Sequence, residues 1–271
     1  MTTERGIGRV VGDEVELLDT PFGDLGALIG ATGSLDVLDD CAVLERCSLD
    51  SLQLLAPLGR PGALWGVGLN YRSKAAHAGR EAPAEPLIYL AAPSAVLSPG
   101  GEVAVPADAT EQLDYEAEIA VVIGRRLHRA QPADVWDAVA GLTAANDMTA
   151  RDVMRRTATP VLAKSFPGCN PLGSSLCSPD EFTDPDAIQV RSWVNGELRQ
   201  DDTSAGMIFD IPDLVSRISW FAALEPGDVV LTGTPAGTGQ DLGRFLAPGD
   251  RIQIEVGPVL PLVTTVGTPT G

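Results

Sequence analysis

Positive charge is scarce in this chain. Lysine and arginine together number 19, against 37 aspartate and glutamate residues, and the formal net charge is −18 over 271 residues. Binding to nucleic acid or to an anionic membrane depends on clustered basic side chains, because both partners present phosphate groups. The composition therefore argues against both kinds of partner.

Cysteine and long apolar runs are also rare. The four cysteines, Cys41, Cys47, Cys169 and Cys177, form no CxxC pair and no zinc-finger spacing, so we expect free thiols and no zinc site. The first residues are charged and lack the apolar stretch of a signal peptide, and no run approaches the roughly 18 apolar residues of a membrane span. We therefore expect a cytoplasmic protein.

A stretch of alternating polarity at residues 113–124 is the most informative part of the chain. It begins Leu-Asp-Tyr-Glu-Ala-Glu and ends in an apolar run and a glycine, which is typical of a β-strand. Strand side chains alternate faces, so Asp114, Glu116 and Glu118 point the same way, with the last two Cα atoms roughly 6–7 Å apart. A shared proton or a hard cation such as Mg²⁺ or Mn²⁺ relieves the repulsion between such carboxylates. A solvated acidic face on an edge strand remains the alternative.

The N-terminal part of the chain is predicted to be a small separate domain. Residues 8–11 and 14–18 are strand patterns joined by a Gly-Asp turn, which predicts a hairpin, whereas residues 34–55 suit one or two short helices. The sequence PLGRP at 57–61 is typical of a boundary. We therefore predict one domain over residues 1–58 and a larger one over residues 59–271.

A strand pattern at residues 63–71 leads into a short helix at residues 72–79. Its glycines do not make a dinucleotide-binding fingerprint, because the third glycine and a long helix are missing. On the helix, Lys74 and His77 are three residues apart and share a face. A nearby ammonium group favours a neutral imidazole, which is the form that a general base needs. The alternative is that both are solvated surface residues.

The rest of the chain indicates many short strands and few helices. Asn-Gly at 195–196 predicts a hairpin turn, and Pro-Gly-Asp at 226–228 and at 248–250 each precede a strand pattern. Apolar residues at helical spacing predict a helix over residues 212–224. The expected fold class is therefore α+β and β-rich.

Several motifs, in this order and spacing, resemble the fumarylacetoacetate hydrolase (FAH) family. They are GLNYR at 68–72, DYEAEIAVVIG at 114–124, NDMTARD at 146–152, AKSF at 163–166, VNGELRQ at 194–200, MIFDI at 207–211 and LTGTPAGTG at 231–239. The resemblance runs from about residue 60 to the end. It implies a mixed β-roll or barrel-like sandwich, usually homodimeric, with a small variable N-terminal domain.

The resemblance also implies a divalent metal site and a class of chemistry. Glu116, Glu118 and Asp147 would be the ligands of Mg²⁺ or Mn²⁺, and the substrate would be a small 2-oxo acid or 1,3-dicarbonyl compound. An enolate of that substrate is common to C–C hydrolysis, decarboxylation and isomerisation, so membership of the family does not choose among these reactions.

Further residues receive roles from the same resemblance. Lys164 would be a catalytic residue beside the metal, and the substrate would be bound by a set of four residues. These substrate-binding residues are Arg72, Arg151, Ser165 and Thr232. The alternatives are purely structural roles, namely ion pairing for Lys164 and Arg151 and ordinary turn chemistry for Thr232.

The chain departs from the family in the segment that activates water. Many members read Asn-Tyr-x-Asp-His-x-x-Glu there, whereas this chain has Lys74 and His77 at the positions of the histidine and glutamate. Either His77 serves as the base, or Lys74 stabilises an anion, or the reaction needs no activated water. A specialised natural-product tailoring enzyme and a non-catalytic binding protein are the two other functions that the sequence leaves open.

Overall fold

The computed structural model describes residues 1–105 and 109–268. The strands are β1 (Thr2–Thr3), β2 (Gly6–Val11), β3 (Glu14–Leu18), β4 (Val43–Ser48), β5 (Leu54–Leu55), β6 (Leu64–Gly68), β7 (Leu87–Ala91), β8 (Val96–Leu97), β9 (Glu102–Val103), β10 (Leu113–Asp114), β11 (Ala117–Ile123), β12 (Val139–Asn146), β13 (Thr149–Ala150), β14 (Asn170–Pro171), β15 (Gln189–Val194), β16 (Glu197–Thr203), β17 (Val229–Leu231), β18 (Arg251–Val256) and β19 (Leu262–Val266).

Helices are few and short. The α-helices are α1 (Leu25–Thr32), α2 (Arg72–His77), α3 (Arg151–Thr157), α4 (Pro160–Ala163), α5 (Ile211–Phe221) and α6 (Gly239–Leu242). The 3₁₀ turns are Asp36–Leu38, Leu49–Ser51, Pro93–Ala95, Pro132–Asp134, Trp136–Ala138, Pro179–Glu181 and Ser204–Gly206. None of the helices in the described ranges has the length and apolar character needed to cross a bilayer.

The N-terminal residues form a sheet of five strands in the order β4-β3-β2-β1-β5. The predicted hairpin is confirmed, because β2 and β3 pair in antiparallel register. The one or two short helices predicted at 34–55 correspond only to two 3₁₀ turns, and the prediction missed strands β4 and β5. Because β4 is an edge strand with mostly exposed side chains, its mixed pattern reflects solvent on both faces. The helix of this region is α1, which the Asp24 side chain caps at its start and Gly33 ends in the left-handed conformation.

The central sheet has the order β12-β11-β17-β6-β7, and its strands β12, β11 and β17 are buried on both faces. Alternation along β11 explains this. Ile119 and Val121 pack in the main core, whereas Ala120 and Val122 join the cluster that contains the α1 residue Ile29. The N-terminal sheet is thus attached to one face of the central sheet by a shared apolar cluster.

The other face packs against a third five-stranded sheet, β16-β15-β18-β19-β9, through contacts of β11 and β12 with β15 and β18. The described strands thus form open sheets in a sandwich and no closed barrel, in agreement with the expected β-rich α+β class. The hairpin turn at 195–196 joins β15 to β16, as predicted. The predicted helix at 212–224 is confirmed as α5, which ends at Phe221.

The strand predicted over residues 113–124 is interrupted. The short strand β10 pairs with β13, and β11 begins only at Ala117. At the break, the Glu116 backbone N–H donates at 3.0 Å to the side chain of Asn146, the last residue of β12, rather than to a backbone carbonyl oxygen. This interruption lies at the acidic residues themselves.

Candidate active site

Three carboxylates converge at one end of the central sheet. Glu116 directly precedes β11 and Glu118 is its second residue, whereas Asp147 directly follows β12, whose Asn146 pairs with Ala117. The antiparallel register therefore brings them together, and the Asp147 N–H donates to the Glu116 carbonyl oxygen at 3.0 Å. One oxygen from each carboxylate lies within 4.8 Å of the others, and all three side chains are buried.

Two basic side chains contact this cluster. The Lys164 ammonium donates to Glu116 Oε2 at 2.5 Å and to Asp147 Oδ2. The Arg151 guanidinium donates to Glu116 and, through Nε, to Asp114 Oδ2 at 2.8 Å. Counting Asp114 with the three clustered carboxylates, four acids face two cations, which leaves two formal negative charges in excess. One divalent cation would neutralise that excess.

The three carboxylates have different electrostatic surroundings. Burial alone would raise the pKa of Glu116, but the adjacent Arg151 and Lys164 outweigh it and lower the pKa to about 2. Burial, reinforced by the charges of Asp147 and Glu116, raises the pKa of Glu118 well above its ordinary value. Burial also raises the pKa of Asp147, with Lys164 opposing the shift. Like-charge repulsion therefore bears most on Glu118.

The chemistry of the donor set fits a metal ion. Asp147 Oδ1 is buried and has no hydrogen-bond partner among residues 1–105 and 109–268. Buried polar atoms in folded proteins are nearly always satisfied by protein, by water or by an ion. All three side chains offer carboxylate oxygens, the ligand type that hard divalent cations prefer. The cluster could therefore hold a divalent metal ion.

A pocket of about 640 Å³ opens beside the cluster, and Glu116 and Glu118 line it. The wall is apolar at Leu87 and Met154, among others. Its basic lining residues are Lys74, Arg80, Arg151, Arg155 and Lys164. The chain has two lysines, Lys74 and Lys164, and both of them line this pocket. A wall that combines cations with apolar surface suits an organic anion.

Four residues that the sequence singled out lie outside the pocket wall. Arg72 is exposed and donates to the Ala205 carbonyl oxygen, and His77 is also exposed. The Ser165 hydroxyl accepts from a backbone N–H at 3.0 Å, and the buried Thr232 hydroxyl donates to the Ile119 carbonyl oxygen at 3.0 Å. The structure thus brings together the metal-ligand candidates, Lys164, Arg151 and Lys74, but not these four.

Sequence reasoning missed Tyr89, whose hydroxyl donates to Asp147 Oδ2. Burial and the Asp147 charge raise the pKa of this phenol, so it remains a donor. A Cβ at Gly66, on the neighbouring strand, would overlap the Tyr89 ring. Glycine inside a strand is a signal of such a close approach, and Gly66 was visible in the sequence.

Comparison with known proteins gives a family match over most of the chain. A sequence model described as fumarylacetoacetate (FAA) hydrolase C-terminal matches residues 63–267. An oxaloacetate tautomerase from Bacillus subtilis (strain 168) is 38% identical over 225 residues, which cover 81% of this chain and 75% of that protein. A 4-hydroxyphenylacetate degradation bifunctional isomerase/decarboxylase from Escherichia coli is 38% identical over 206 residues, or 76% of this chain. This chain spans only 47% of the length of the Escherichia coli protein.

Solved structures agree with the sequence matches. A fumarylacetoacetate hydrolase from Exiguobacterium antarcticum superimposes with a TM-score of 0.86 at 31% identity, covering 97% of this chain and 95% of the other. A 5-carboxymethyl-2-hydroxymuconate delta-isomerase from Mycobacterium smegmatis gives a TM-score of 0.78 at 29% identity, covering 97% and 94%. Both superpositions include the N-terminal sheet as well as the larger part of the chain.

Proposed function

The chain belongs to the fumarylacetoacetate hydrolase family of enzymes, and from this premise we propose that it is a divalent-metal-dependent enzyme acting through an enolate of a 2-oxo acid or 1,3-dicarbonyl compound. The observation that carries the proposal is the buried cluster of Glu116, Glu118 and Asp147 beside a cation-lined pocket. These three residues would hold Mg²⁺ or Mn²⁺. When bound, the metal would polarise the substrate carbonyl and favour the enolate.

Lys164 would stabilise negative charge on the substrate oxygens. Burial alone would lower its pKa, but the carboxylates of Asp147 and Glu116 reverse the effect and raise it, so the side chain remains an ammonium. Its Nζ lines the pocket wall from within hydrogen-bond reach of two proposed ligands. A fixed cation at that place favours the negative charge that an enolate carries on its oxygen.

Arg151 would bind the substrate carboxylate. Its Nε and Nη2 are occupied by Asp114 and Glu116, whereas Nη1 makes no hydrogen bond within the described ranges. Asp114 fixes the guanidinium and is itself fixed, because it accepts from the backbone N–H groups of Gly239 at 2.6 Å and Gln240 at 3.0 Å. The arrangement presents a rigid guanidinium to a planar carboxylate.

Replacing Asp114 with asparagine is expected to misorient Arg151. An amide places an N–H₂ group against donors, so we expect a loss of about 1–3 kcal/mol in the free energy of unfolding and a fall of about 10–100-fold in kcat/KM. Chemical denaturation and steady-state kinetics measure the two effects. Asp152→Asn, at a carboxylate that bonds to Thr110 and the Glu111 N–H, is the control and should change kcat/KM little. An Asp114→Asn enzyme with wild-type KM and kcat would contradict the role of Arg151.

Among the reactions of the family, we propose keto–enol tautomerisation or isomerisation rather than water-activated hydrolysis. At the positions of the water-activating pair, Lys74 is engaged in an ion pair with Asp241 and His77 is exposed. One relative is named a tautomerase and another a bifunctional isomerase/decarboxylase, which supports the same choice, whereas the Exiguobacterium antarcticum structure is named a hydrolase. The pocket of about 640 Å³ exceeds what a four-carbon acid needs. A larger natural-product intermediate is therefore the second candidate substrate.

The assay that tests this proposal compares oxaloacetate with an acylpyruvate, with Mg²⁺, with Mn²⁺ and with a chelator. We expect metal-dependent tautomerisation of one substrate without release of a hydrolysis product, and loss of turnover in chelator. Hydrolysis of the acylpyruvate would overturn the choice of reaction, and undiminished turnover in chelator would overturn the metal dependence.

We also propose that the protein is a cytoplasmic homodimer. Only the family resemblance supports this proposal. Size-exclusion chromatography with light scattering tests the oligomeric state.

A further inference from the structure

Helix α2 is fastened to the segment around α6 by an ion pair. The Lys74 ammonium donates to both carboxylate oxygens of Asp241 at 2.8 Å and to Thr238 Oγ1 at 2.7 Å. An ammonium has three N–H groups, and each of them has an acceptor here. The Lys74 side chain is 11% exposed and that of Asp241 4% exposed, so little solvent screens the pair.

Asp241 is held in place independently of Lys74. It is the third residue of α6 and closes a capping box with Thr238. Its Oδ2 accepts from the backbone N–H groups of Gly237 at 2.9 Å and of Thr238 at 3.2 Å. The carboxylate is therefore a fixed point to which the side chain of Lys74 attaches.

Two further contacts on the same face of α2 follow the ion pair. His77 Nε2 lies 3.1 Å from the Asp241 carbonyl oxygen, and the Ser73 hydroxyl accepts from the Ala236 N–H at 3.3 Å. A helix of six residues does not persist by itself, because nucleation is costly and few hydrogen bonds follow it. The position of α2 therefore depends on what its side chains hold.

Helix α2 and α6 also form part of the pocket wall. Lys74, Arg80 and Gln240 line the same pocket as Lys164. The segment is bounded by two residues in the left-handed conformation, Leu69 with φ 53° and Gly79 with φ 62°. For a leucine this conformation is strained, and the fold around it must compensate.

We propose that Lys74 and Asp241 form a latch that fixes α2 as a wall of the substrate pocket, so that Lys74 is a positioning residue and neither a proton acceptor nor a substrate ligand. The inference rests on the proposed function, because the wall matters only if the pocket is the active site. A proton acceptor must be free to reach the substrate, whereas the Lys74 Nζ is directed at Asp241 and Thr238. A substrate ligand needs a free N–H, whereas all three are engaged. In this chain the latch therefore occupies the place where other members of the family activate water.

The test is a double-mutant cycle with Lys74→Met, Asp241→Asn and the double variant. Methionine keeps the apolar stem of Lys74, and asparagine keeps an acceptor for the Gly237 and Thr238 N–H groups. We expect all three variants to lose about the same factor in kcat/KM, roughly 10–30-fold and mostly through KM, because either change opens the same latch. Lys74→Arg, which can still pair with Asp241, should recover most of the loss.

A second measurement does not depend on turnover. Hydrogen–deuterium exchange of the amides at residues 72–79 should be at least about tenfold faster in the three latch variants than in the wild-type protein. Divalent-metal affinity should not change. Arg126→Met, which breaks the exposed Arg126–Glu225 pair, is the control and should leave exchange in this segment unchanged.

Two results would overturn the latch. One is a Lys74→Met enzyme without measurable kcat beside an Asp241→Asn enzyme of nearly wild-type activity, because Lys74 would then act on the substrate itself. The other is unchanged exchange at residues 72–79 in the variants. If the exchange rises as expected but the wild-type protein turns over no 2-oxo acid, the proposed function fails and the latch stands.

Discussion

Replacing Asp147 with asparagine is expected to abolish divalent-metal binding and to lower kcat/KM by at least about a thousandfold. The amide keeps the volume of the side chain but removes one of the three negative charges that would hold the cation. Several kcal/mol of transition-state stabilisation come from a bound metal, and each 1.36 kcal/mol corresponds to a factor of ten in rate. Both Lys164 and Tyr89 donate to Asp147 Oδ2, so the amide also disturbs these two contacts.

Titration calorimetry with Mg²⁺ and with Mn²⁺ measures the binding, and steady-state kinetics measures the rate. The matched control is Asp228→Asn, a buried carboxylate that accepts from the Ala63 and Glu225 N–H groups. It should lose some stability while binding metal as the wild-type protein does. Metal binding of wild-type strength in Asp147→Asn would remove this residue from the ligand set.

Replacing Lys164 with methionine is expected to lower the stability of the metal-free protein and to increase the stabilisation that a bound metal provides. Without metal, the ammonium is the cation that two of the clustered carboxylates share, and removing one partner of a buried ion pair costs about 3–5 kcal/mol. With metal, the bound cation replaces that charge, so the metal should raise the melting temperature more than in the wild-type protein. Turnover should fall about 10²–10³-fold, because the positioned donor is lost.

Thermal and denaturant unfolding with and without Mg²⁺ or Mn²⁺ measure the first effect. Lys164→Arg is the matched variant: it keeps the charge and should retain most of the metal-free stability, although its planar group does not reproduce the contacts of an ammonium. A Lys164→Met protein that is as stable as the wild type without metal, or that metal does not stabilise further, would show that Lys164 does not compensate the cluster.

Sequence patterns over a few neighbouring residues correctly predicted several turns and helices of the fold. The β2–β3 hairpin, the 195–196 turn and α5 follow from turn residues and apolar spacing. Strand alternation also placed Glu116 and Glu118 together, since they are two residues apart in the stretch predicted as one strand, although β11 begins only at Ala117. The stretch at 34–55 was misread because an edge strand with solvent on both faces has no alternation to reveal it.

The remainder of the site depends on contacts between residues that are distant in the chain. Asp147 entered the ligand set only through the family resemblance, since nothing in its own neighbourhood predicts that β12 pairs with β11. Tyr89 reaches Asp147 across 58 positions, and Lys74 reaches Asp241 across 167. No local sequence pattern predicts which distant residues will form such contacts. The family resemblance likewise gave Thr232 a substrate contact, but its hydroxyl donates to the Ile119 carbonyl oxygen.

The measurement that tests the central claim most directly is solvent exchange at the carbon next to the substrate carbonyl. Proton NMR in D₂O follows the loss of the C3 hydrogens of a simple 2-oxo acid such as 2-oxobutyrate, with the same concentration of free Mg²⁺ or Mn²⁺ as the background. The enolate account predicts exchange that needs both protein and metal and that Lys164→Met and Asp147→Asn abolish. The contradicting result is a protein that binds metal by calorimetry and yet gives no exchange above background. The same must hold when an acylpyruvate replaces the simple 2-oxo acid.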